Sequence, residues 1–180
     1  MLSLLIMLDS PGSPILFQER VGLGGKRFRV YKFRTMISNR SNDKERDYMK
    51  KYISGQIGNN EEVLHKPIQK NEITRLGRIL RKSSLDELPQ ILNVLKGEMS
   101  LIGPRPNVVW EVEFYKNWHY ERLNTLPGIT GLAQVMGRSS LSFDQIAVFD
   151  IQYVRNQNFF MDIQIMWQTF QTVFTGKGAG

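Results

Sequence analysis

Two neighbouring carboxylates, Asp86 and Glu87, lie between two arginines in the sequence, Arg81 before them and Arg105 after them. In a chain whose formal net charge is +7, such an acidic pair indicates a site that handles a metal ion together with a phosphorylated substrate. An ionised aspartate can act as a nucleophile or as a metal ligand, and an arginine can bind phosphate oxygens through two hydrogen bonds. The pattern therefore predicts chemistry on a phosphate group.

The same spacing also fits a purely structural role. Ser84 and Glu87 are three positions apart, as in a capping box, where the two side chains bind the free N–H groups at a helix start. Pro89 is tolerated only near that start, so a helix is expected to begin between Ser84 and Asp86, with both carboxylates at the positive end of its dipole. Apolar residues follow at helical spacing: Leu85, Leu88, Ile91, Leu92 and Leu95. The spacing alone leaves the catalytic and capping interpretations open.

Composition narrows the chemistry. A chain of 180 residues is expected to form one domain, and its pI of about 9.7 indicates an anionic partner, which could be nucleic acid, a nucleotide-linked substrate or an acidic membrane surface. The absence of cysteine excludes disulfides, thiol nucleophiles and thiolate zinc sites. With only two histidines, any metal should be held by oxygen ligands, which favours Mg²⁺ or Mn²⁺.

The elements that position the acidic pair follow from the pattern around it. Residues 15–21 and 26–36 read as a β-hairpin, and alternation on its second strand places Lys32 and Arg34 at the end of an otherwise apolar face. Residues 73–82 form an amphipathic helix, so two helices are expected to meet at an elbow that carries the acidic pair.

The second half contributes further candidates. Pro104 and Pro106 fix the backbone on both sides of Arg105, which suggests a specific role for that side chain. Another capping box, at residues 142–145, opens a helix that carries Asp150 and Tyr153. The predicted fold class is α+β: a single compact domain with an N-terminal β-hairpin followed by several amphipathic helices, the last over residues 161–175.

Taken together, the motifs resemble those of the bacterial sugar transferase family, the small monotopic phosphoglycosyl transferases. The matching stretches, in family order, are residues 8–12 (LDSPG), 18–22 (QERVG), 31–36 (YKFRTM), 81–90 (RKSSLDELPQ), 97–106 (GEMSLIGPRP), 127–134 (PGITGLAQ) and 150–154 (DIQYV).

This resemblance implies transfer of a sugar-1-phosphate from a UDP-sugar to a polyprenyl phosphate in two steps, with Mg²⁺ required. Asp86 would be the nucleophile that forms a covalent aspartyl phosphosugar, and Glu87 its partner in binding Mg²⁺ or in activating the acceptor. The remaining candidates form a cradle for the phosphates, nucleotide and sugar: Arg81, Arg105, Lys32, Arg34, Arg138, Asp150 and Tyr153. Asp150 and Tyr153 could equally serve to pack their helix.

The resemblance also implies a place in the cell. Residues 1–12 would be the remnant of a re-entrant membrane helix and residues 13–180 the catalytic domain, on the cytoplasmic face of the bacterial inner membrane. Residues 1–8 alone are too short to cross a bilayer, because eight helical residues rise only about 12 Å. The aromatic C-terminal helix is a candidate surface for homo-oligomers. Two alternatives from other classes are a basic nucleic-acid-binding module and a nonenzymatic membrane-surface scaffold.

Overall fold

The structure is a computed structural model, and it describes residues 1–37, 43–56, 72–137 and 141–175. The strands are β1 (Ile15–Val21), β2 (Arg27–Phe33), β3 (Ser100–Ile102) and β4 (Gly128–Thr130). The α-helices are α1 (Leu2–Asp9), α2 (Asp43–Ile53), α3 (Arg75–Lys82), α4 (Ile91–Leu95), α5 (Val109–Val112), α6 (Leu132–Met136), α7 (Phe143–Asn156) and α8 (Phe159–Thr175). Shorter 3₁₀ segments cover Leu23–Gly25, Leu85–Gln90 and Asn117–Leu123. This mixture of helices with small sheets confirms the α+β prediction.

The predicted hairpin is present. Strands β1 and β2 pair antiparallel, with Ile15 opposite Phe33 and Val21 opposite Arg27. The turn between them uses Gly24 and Gly25 at φ 62° and 81°, a left-handed backbone that glycine adopts without a steric penalty. A second small sheet pairs β3 with β4 in parallel.

Helix α3 lies directly against the end of the hairpin. The Thr74 side chain accepts a hydrogen bond from the Gly77 N–H at the start of the helix, and the Thr74 N–H donates to the Thr35 carbonyl at 3.1 Å. A Cβ at Gly77 would lie 2.2 Å from the Thr35 carbonyl oxygen, so only glycine allows the two backbones to approach this closely. The elbow after α3 is thereby held beside β2.

The elbow itself differs from the predicted helix start. Ser84 adopts the left-handed conformation, at φ 54°, and its side chain makes no cap hydrogen bond, so the capping-box prediction at Ser84 and Glu87 is wrong. The chain continues as a 3₁₀ segment and only then as the short helix α4. The left-handed backbone at Ser84 and the missing N–H of Pro89 together prevent one regular helix. The capping box predicted at residues 142–145 does form, with Ser142 and Gln145 binding each other's N–H groups.

The buried side of the elbow segment is polar and its exposed side is apolar. Glu87, Gln90 and Asn93 are buried. The leucines and isoleucine at helical spacing are exposed instead: Leu85, Leu88, Ile91, Leu92 and Leu95. The main apolar clusters lie elsewhere, one around Ile53, Tyr115 and Phe143 and another around Ile102, Tyr153 and Ile165. Within the described residues, no helix is long and apolar enough to cross a bilayer.

Candidate active site

One oxygen of Glu87 binds two cations from different parts of the chain. Lys32 Nζ on β2 lies 2.7 Å from Glu87 Oε1, and Arg105 Nη1, after β3, lies 3.0 Å from the same atom. Burial alone would raise the pKa of Glu87, but Arg105 and Lys32 together outweigh it and hold the pKa well below its usual range. Glu87 is therefore a firmly ionised carboxylate at neutral pH.

Asp86 lies beside this cluster in a different electrostatic environment. Burial, reinforced by the neighbouring charge of Glu87, raises the pKa of Asp86, against the opposing charges of Lys32, Arg81 and Arg105. Within the part of the chain that the structure describes, no hydrogen bond or ion pair occupies the Asp86 carboxylate. The adjacent acids thus have opposite pKa shifts, and Asp86 is the one left available to a substrate.

Lys32 completes the cluster as a partly desolvated cation. Burial first, and then the nearby charge of Arg105, lower the pKa of Lys32 to about 8, although Glu87 acts in the opposite direction. Its side chain remains 24% exposed, and that of Arg105 remains 42% exposed. Lys32 and Arg105 can therefore contact an anion that arrives from solvent while they remain paired with Glu87.

A buried asparagine, which sequence reasoning missed, ties α4 to the hairpin. The Asn93 side chain accepts a hydrogen bond from the Tyr31 N–H and donates to the Arg29 carbonyl and to Glu98. These bonds fix the strand one residue before Lys32. A lone asparagine in an amphipathic pattern gives no sequence signal for this role, because its two partners on the hairpin, Tyr31 and Arg29, lie more than sixty positions away.

The segment that carries Arg105 is held through its carbonyls. The Pro104 carbonyl accepts from the Gly128 N–H at 2.9 Å, that of Arg105 from Arg122 Nη2 at 3.2 Å, and that of Pro106 from Arg20 Nη1 at 3.0 Å. Because the prolines have no N–H, these carbonyls are their only main-chain hydrogen-bonding groups. The stiff flanks predicted from the sequence are thus also held by hydrogen bonds from other parts of the chain.

Asp150 and Tyr153 lie in the interior and do not reach the acidic pair. The Asp150 carboxylate pairs with Arg122, and both side chains are only 2% exposed. Burial raises the pKa of Asp150, against the opposing charge of Arg122. The Tyr153 hydroxyl donates to Asp162 at 2.8 Å. Arg122 was not a sequence candidate, since nothing local distinguishes it from the other arginines.

Arg34, predicted to share a strand face with Lys32, lies one residue past the end of β2 and contacts other partners. Its guanidinium donates to the carbonyls of Ile6, Ser10 and Pro11, at the end of α1 and in the turn that follows. The Ile6 carbonyl also accepts from the Ser10 N–H, and Ser10 and Pro11 lie just after the helix. The buried Arg34 therefore ties the end of α1 and the turn after it to the hairpin. The structure does not bring Arg34 to the phosphate cradle.

The two other arginines predicted for the phosphate cradle are Arg81 and Arg138. Arg81 lies near enough to Asp86 for its charge to oppose the raised pKa, and it also donates to Met36 Sδ at 3.7 Å. Arg138 lies outside the described residues, so its place in the cradle stays a prediction.

The donor set fits a magnesium ion that is shared with substrate. No cluster of three or more His, Cys, Asp or Glu side chains occurs among the described residues. Mg²⁺ commonly takes only one or two carboxylates and completes its shell with water and substrate phosphates. Asp86 and the second oxygen of Glu87, which receives no hydrogen bond within the described ranges, would supply that number of ligands.

The site borders an exposed apolar surface. Leu85 and Leu88 flank the acidic pair in the chain and are 37% and 42% exposed. Other strongly exposed apolar side chains lie on α1, α3 and α8: Leu4, Leu8, Ile79, Phe159, Phe160 and Trp167. An open, shallow pocket of about 560 Å³ lies between the hairpin turn and α5, and none of the candidate site residues lines it.

Known proteins of similar sequence match most of this chain. The galactosyl transferase CpsE of Streptococcus agalactiae is 41% identical over 93% of this chain but 36% of its own length. The uncharacterized sugar transferase EpsL of Bacillus subtilis is 39% identical over 93% of this chain and 73% of its own length. The undecaprenyl-phosphate galactose phosphotransferase of Salmonella typhimurium is 40% identical over 93% of this chain and 35% of its own length. The chain therefore spans about a third of the longer relatives.

The sequence profile of the bacterial sugar transferases matches residues 1–176, which is nearly the whole chain. The acidic pair, its cations and the loop that carries Arg105 all fall within this match. The chain belongs to the bacterial sugar transferase family.

Proposed function

We propose that the chain transfers a sugar-1-phosphate from a UDP-sugar to a polyprenyl phosphate through a covalent intermediate on Asp86. The observation that carries this proposal is the Asp86 carboxylate, which has no partner among the described residues, beside a Glu87 that is held by Lys32 and Arg105. The names of two relatives support the substrates, since the Salmonella protein is an undecaprenyl-phosphate galactose phosphotransferase and an Erwinia amylovora relative is a UDP-galactose-lipid carrier transferase.

In the first step, an Asp86 oxygen attacks the phosphorus that carries the sugar. The bond from that phosphorus to the bridging oxygen breaks, and UMP leaves with the electron pair. In the second step, a phosphate oxygen of the polyprenyl phosphate attacks the same phosphorus and releases Asp86. The products are the polyprenyl diphosphate sugar and a regenerated carboxylate.

The charges around Asp86 meet the main difficulty of this reaction, which is the approach of one anion to another. Lys32 and Arg105 are partly exposed and can bind oxygens of the diphosphate, while Arg81 adds positive charge near Asp86. Bound Mg²⁺, held by Asp86 and Glu87, would neutralise further charge on the diphosphate. The raised pKa of Asp86 makes it a more basic, and so a stronger, nucleophile once it is ionised.

Glu87 is better suited to holding cations than to moving protons. A carboxylate whose pKa lies well below its usual range is a weak base at neutral pH. We therefore assign Glu87 to ordering Lys32, Arg105 and the metal ion, in preference to activating the acceptor phosphate as a general base.

The exposed apolar side chains support a membrane location for this reaction. A polyprenyl phosphate presents its phosphate at the bilayer surface, and Leu85 and Leu88 would rest on that surface beside the acidic pair. We propose that the chain works on the cytoplasmic face of the bacterial inner membrane. Vesicle co-sedimentation tests this: Leu88→Ser combined with Leu92→Ser should weaken binding, whereas the acidic cluster should be unaffected.

The central test is a single-turnover assay with Mg²⁺ and a panel of UDP-sugars, which follows UMP release and the mass of the protein. The wild type should release UMP and gain the mass of one phosphosugar, and polyprenyl phosphate should remove that mass. Asp86→Asn should do neither. Asp47→Asn is the matched control, because Asp47 is exposed on α2. UMP release by Asp86→Asn at the wild-type rate would refute the assignment.

A further inference from the structure

The buried Arg122 binds three groups between residues 105 and 115 and a fourth on α7. Its Nη1 donates to the Asn107 side chain and to the Tyr115 hydroxyl, the latter at 2.8 Å. Its Nη2 donates to Asp150 and to the Arg105 carbonyl, the latter at 3.2 Å. One guanidinium thereby joins the Arg105 loop to α7.

Two of these contacts hold the loop itself. Arg105 and Asn107 lie on either side of Pro106, so Arg122 binds the loop at two points, one on the main chain and one on a side chain. The planar fork of a guanidinium can make these contacts at fixed angles, which a lysine ammonium cannot reproduce. Asp150 balances the charge that this arrangement buries.

The Arg105 side chain must reach Glu87 from a loop, so its direction depends on how the main chain of that loop is held. The Arg105 side chain is 42% exposed, whereas the carboxylate that it contacts is 10% exposed. Pro104 and Pro106 are buried and restrict the local backbone, but they have no N–H with which to hold the main chain of Arg105. Hydrogen bonds to the loop carbonyls add to this packing, and Arg122 is the residue that binds the Arg105 carbonyl.

We propose that Arg122, held by Asp150, is a positioning residue that fixes the main chain of Arg105 and so directs the Arg105 guanidinium at Glu87 and the bound diphosphate. This inference rests on the proposed function for its catalytic consequence. Arg122 does not touch the reacting atoms. Small displacements of a group that positions substrate are costly, about a hundredfold in rate for 1 Å.

The test is a double-mutant cycle on single-turnover UMP release, with Arg122→Lys, Arg105→Lys and the two combined. Arg122→Lys should slow release about tenfold or more, because the lysine can keep the pair with Asp150 but not the bonds to the loop. In the Arg105→Lys background the same change should cost less than about twofold, since the side chain to be positioned is gone. Equal losses in both backgrounds would overturn the proposal.

The matched control is a surface ion pair that joins α7 to the 3₁₀ segment carrying Arg122 and does not contact the Arg105 loop. Arg155 on α7 pairs with Glu121 in the 3₁₀ segment that also carries Arg122, and both contacts are on the surface. Arg155→Lys should leave UMP release within about twofold of the wild type. A loss in Arg155→Lys as large as that in Arg122→Lys would show that joining the two elements, and not the contact with Arg105, sets the rate, and would overturn the proposal.

A second variant and a second measurement distinguish a positioning role for Arg122 from a loss of folding and from failure of the proposed function. Tyr115→Phe removes one acceptor of Arg122 and should give a smaller loss that again disappears in the Arg105→Lys background, which keeps the proposal testable if Arg122→Lys does not fold. The Nε–H resonance of Arg105, assigned from Arg105→Lys, should shift in Arg122→Lys or Tyr115→Phe but not in Arg155→Lys. An unchanged resonance would contradict the positioning role. Because this measurement needs no turnover, it is independent of wild-type UMP release, whose absence would refute the proposed function alone.

Discussion

Glu87 and Asp150 are both acids beside arginines, yet they form two different kinds of charge cluster. Glu87 binds Lys32 and Arg105, whose side chains are 24% and 42% exposed. Asp150 binds Arg122, and both of these side chains are 2% exposed. The first cluster opens to solvent beside Asp86, and the second is closed by partners from the same chain.

The pKa shifts follow this difference. Burial raises the pKa of Asp150 because one arginine does not offset its complete desolvation. Two cations do offset the burial of Glu87 and hold its pKa below the usual range. The comparison teaches that an acid beside an arginine marks a candidate for ligand binding when the cations keep an exposed side. Where they do not, the pair supports the structure around it.

The largest expected effect is on the closed cluster. Asp150→Asn leaves the charge of Arg122 buried without a carboxylate and should lower the free energy of unfolding by about 3 kcal/mol or more. Urea denaturation measures this change, with Asp47→Asn as the control on an exposed acid. A change of less than about 1 kcal/mol would mean that the cluster is more open than its geometry indicates.

The next largest effect is expected at the open cluster around Glu87, where a mutation should lower activity more than stability. Glu87→Gln removes the negative charge between Lys32 and Arg105, so their positions relax and UMP release should slow about a hundredfold. The denaturation midpoint should move much less than in Asp150→Asn, because both cations can turn towards water. The comparison would fail if Glu87→Gln unfolded the protein as readily as Asp150→Asn.

The pH dependence sharpens the assignment of Lys32. Its pKa of about 8 predicts that kcat/KM falls above pH 8, because the neutral amine loses the ion pair with Glu87 and the attraction for the diphosphate. At pH 9 the wild type should keep about a tenth of its plateau value. Lys32→Arg stays protonated throughout, so its alkaline limb should move to higher pH even if its plateau is lower. An unmoved limb would assign the ionisation to another group.

The smallest effect is expected at the exposed pair of Glu121 and Arg155. Solvent screens this pair, so Glu121→Gln should leave the urea midpoint and the rate of UMP release within experimental error. A clear loss of stability would show that surface pairs in this chain contribute as much as the buried one. That result would remove the basis of the comparison.

The sequence by itself determined the features that depend on near neighbours. Strand alternation and the glycine-rich turn fixed the hairpin and placed Lys32 on the correct face, and the spacing of Ser142 and Gln145 fixed the start of α7. The adjacency of Asp86 and Glu87, together with the ordered motifs, identified the family. These features need only local geometry, which the order of residues already contains.

The tertiary structure decided the rest, because the deciding partners are distant in the chain. Alternation predicted Lys32 and Arg34 on one strand face, but Lys32 contacts Glu87, 55 positions away, while Arg34 lies past the end of β2 and contacts the turn after α1. The predicted cap at Ser84 does not form, because the elbow turns Glu87 towards Lys32 and Arg105. The leucines of the elbow are exposed to solvent instead of buried. Arg122 is unremarkable in sequence, and its role arises only where folding places it between Asp150 and the Arg105 carbonyl. Hydrogen bonds and burial between distant segments have no local pattern, so only the folded chain reveals them.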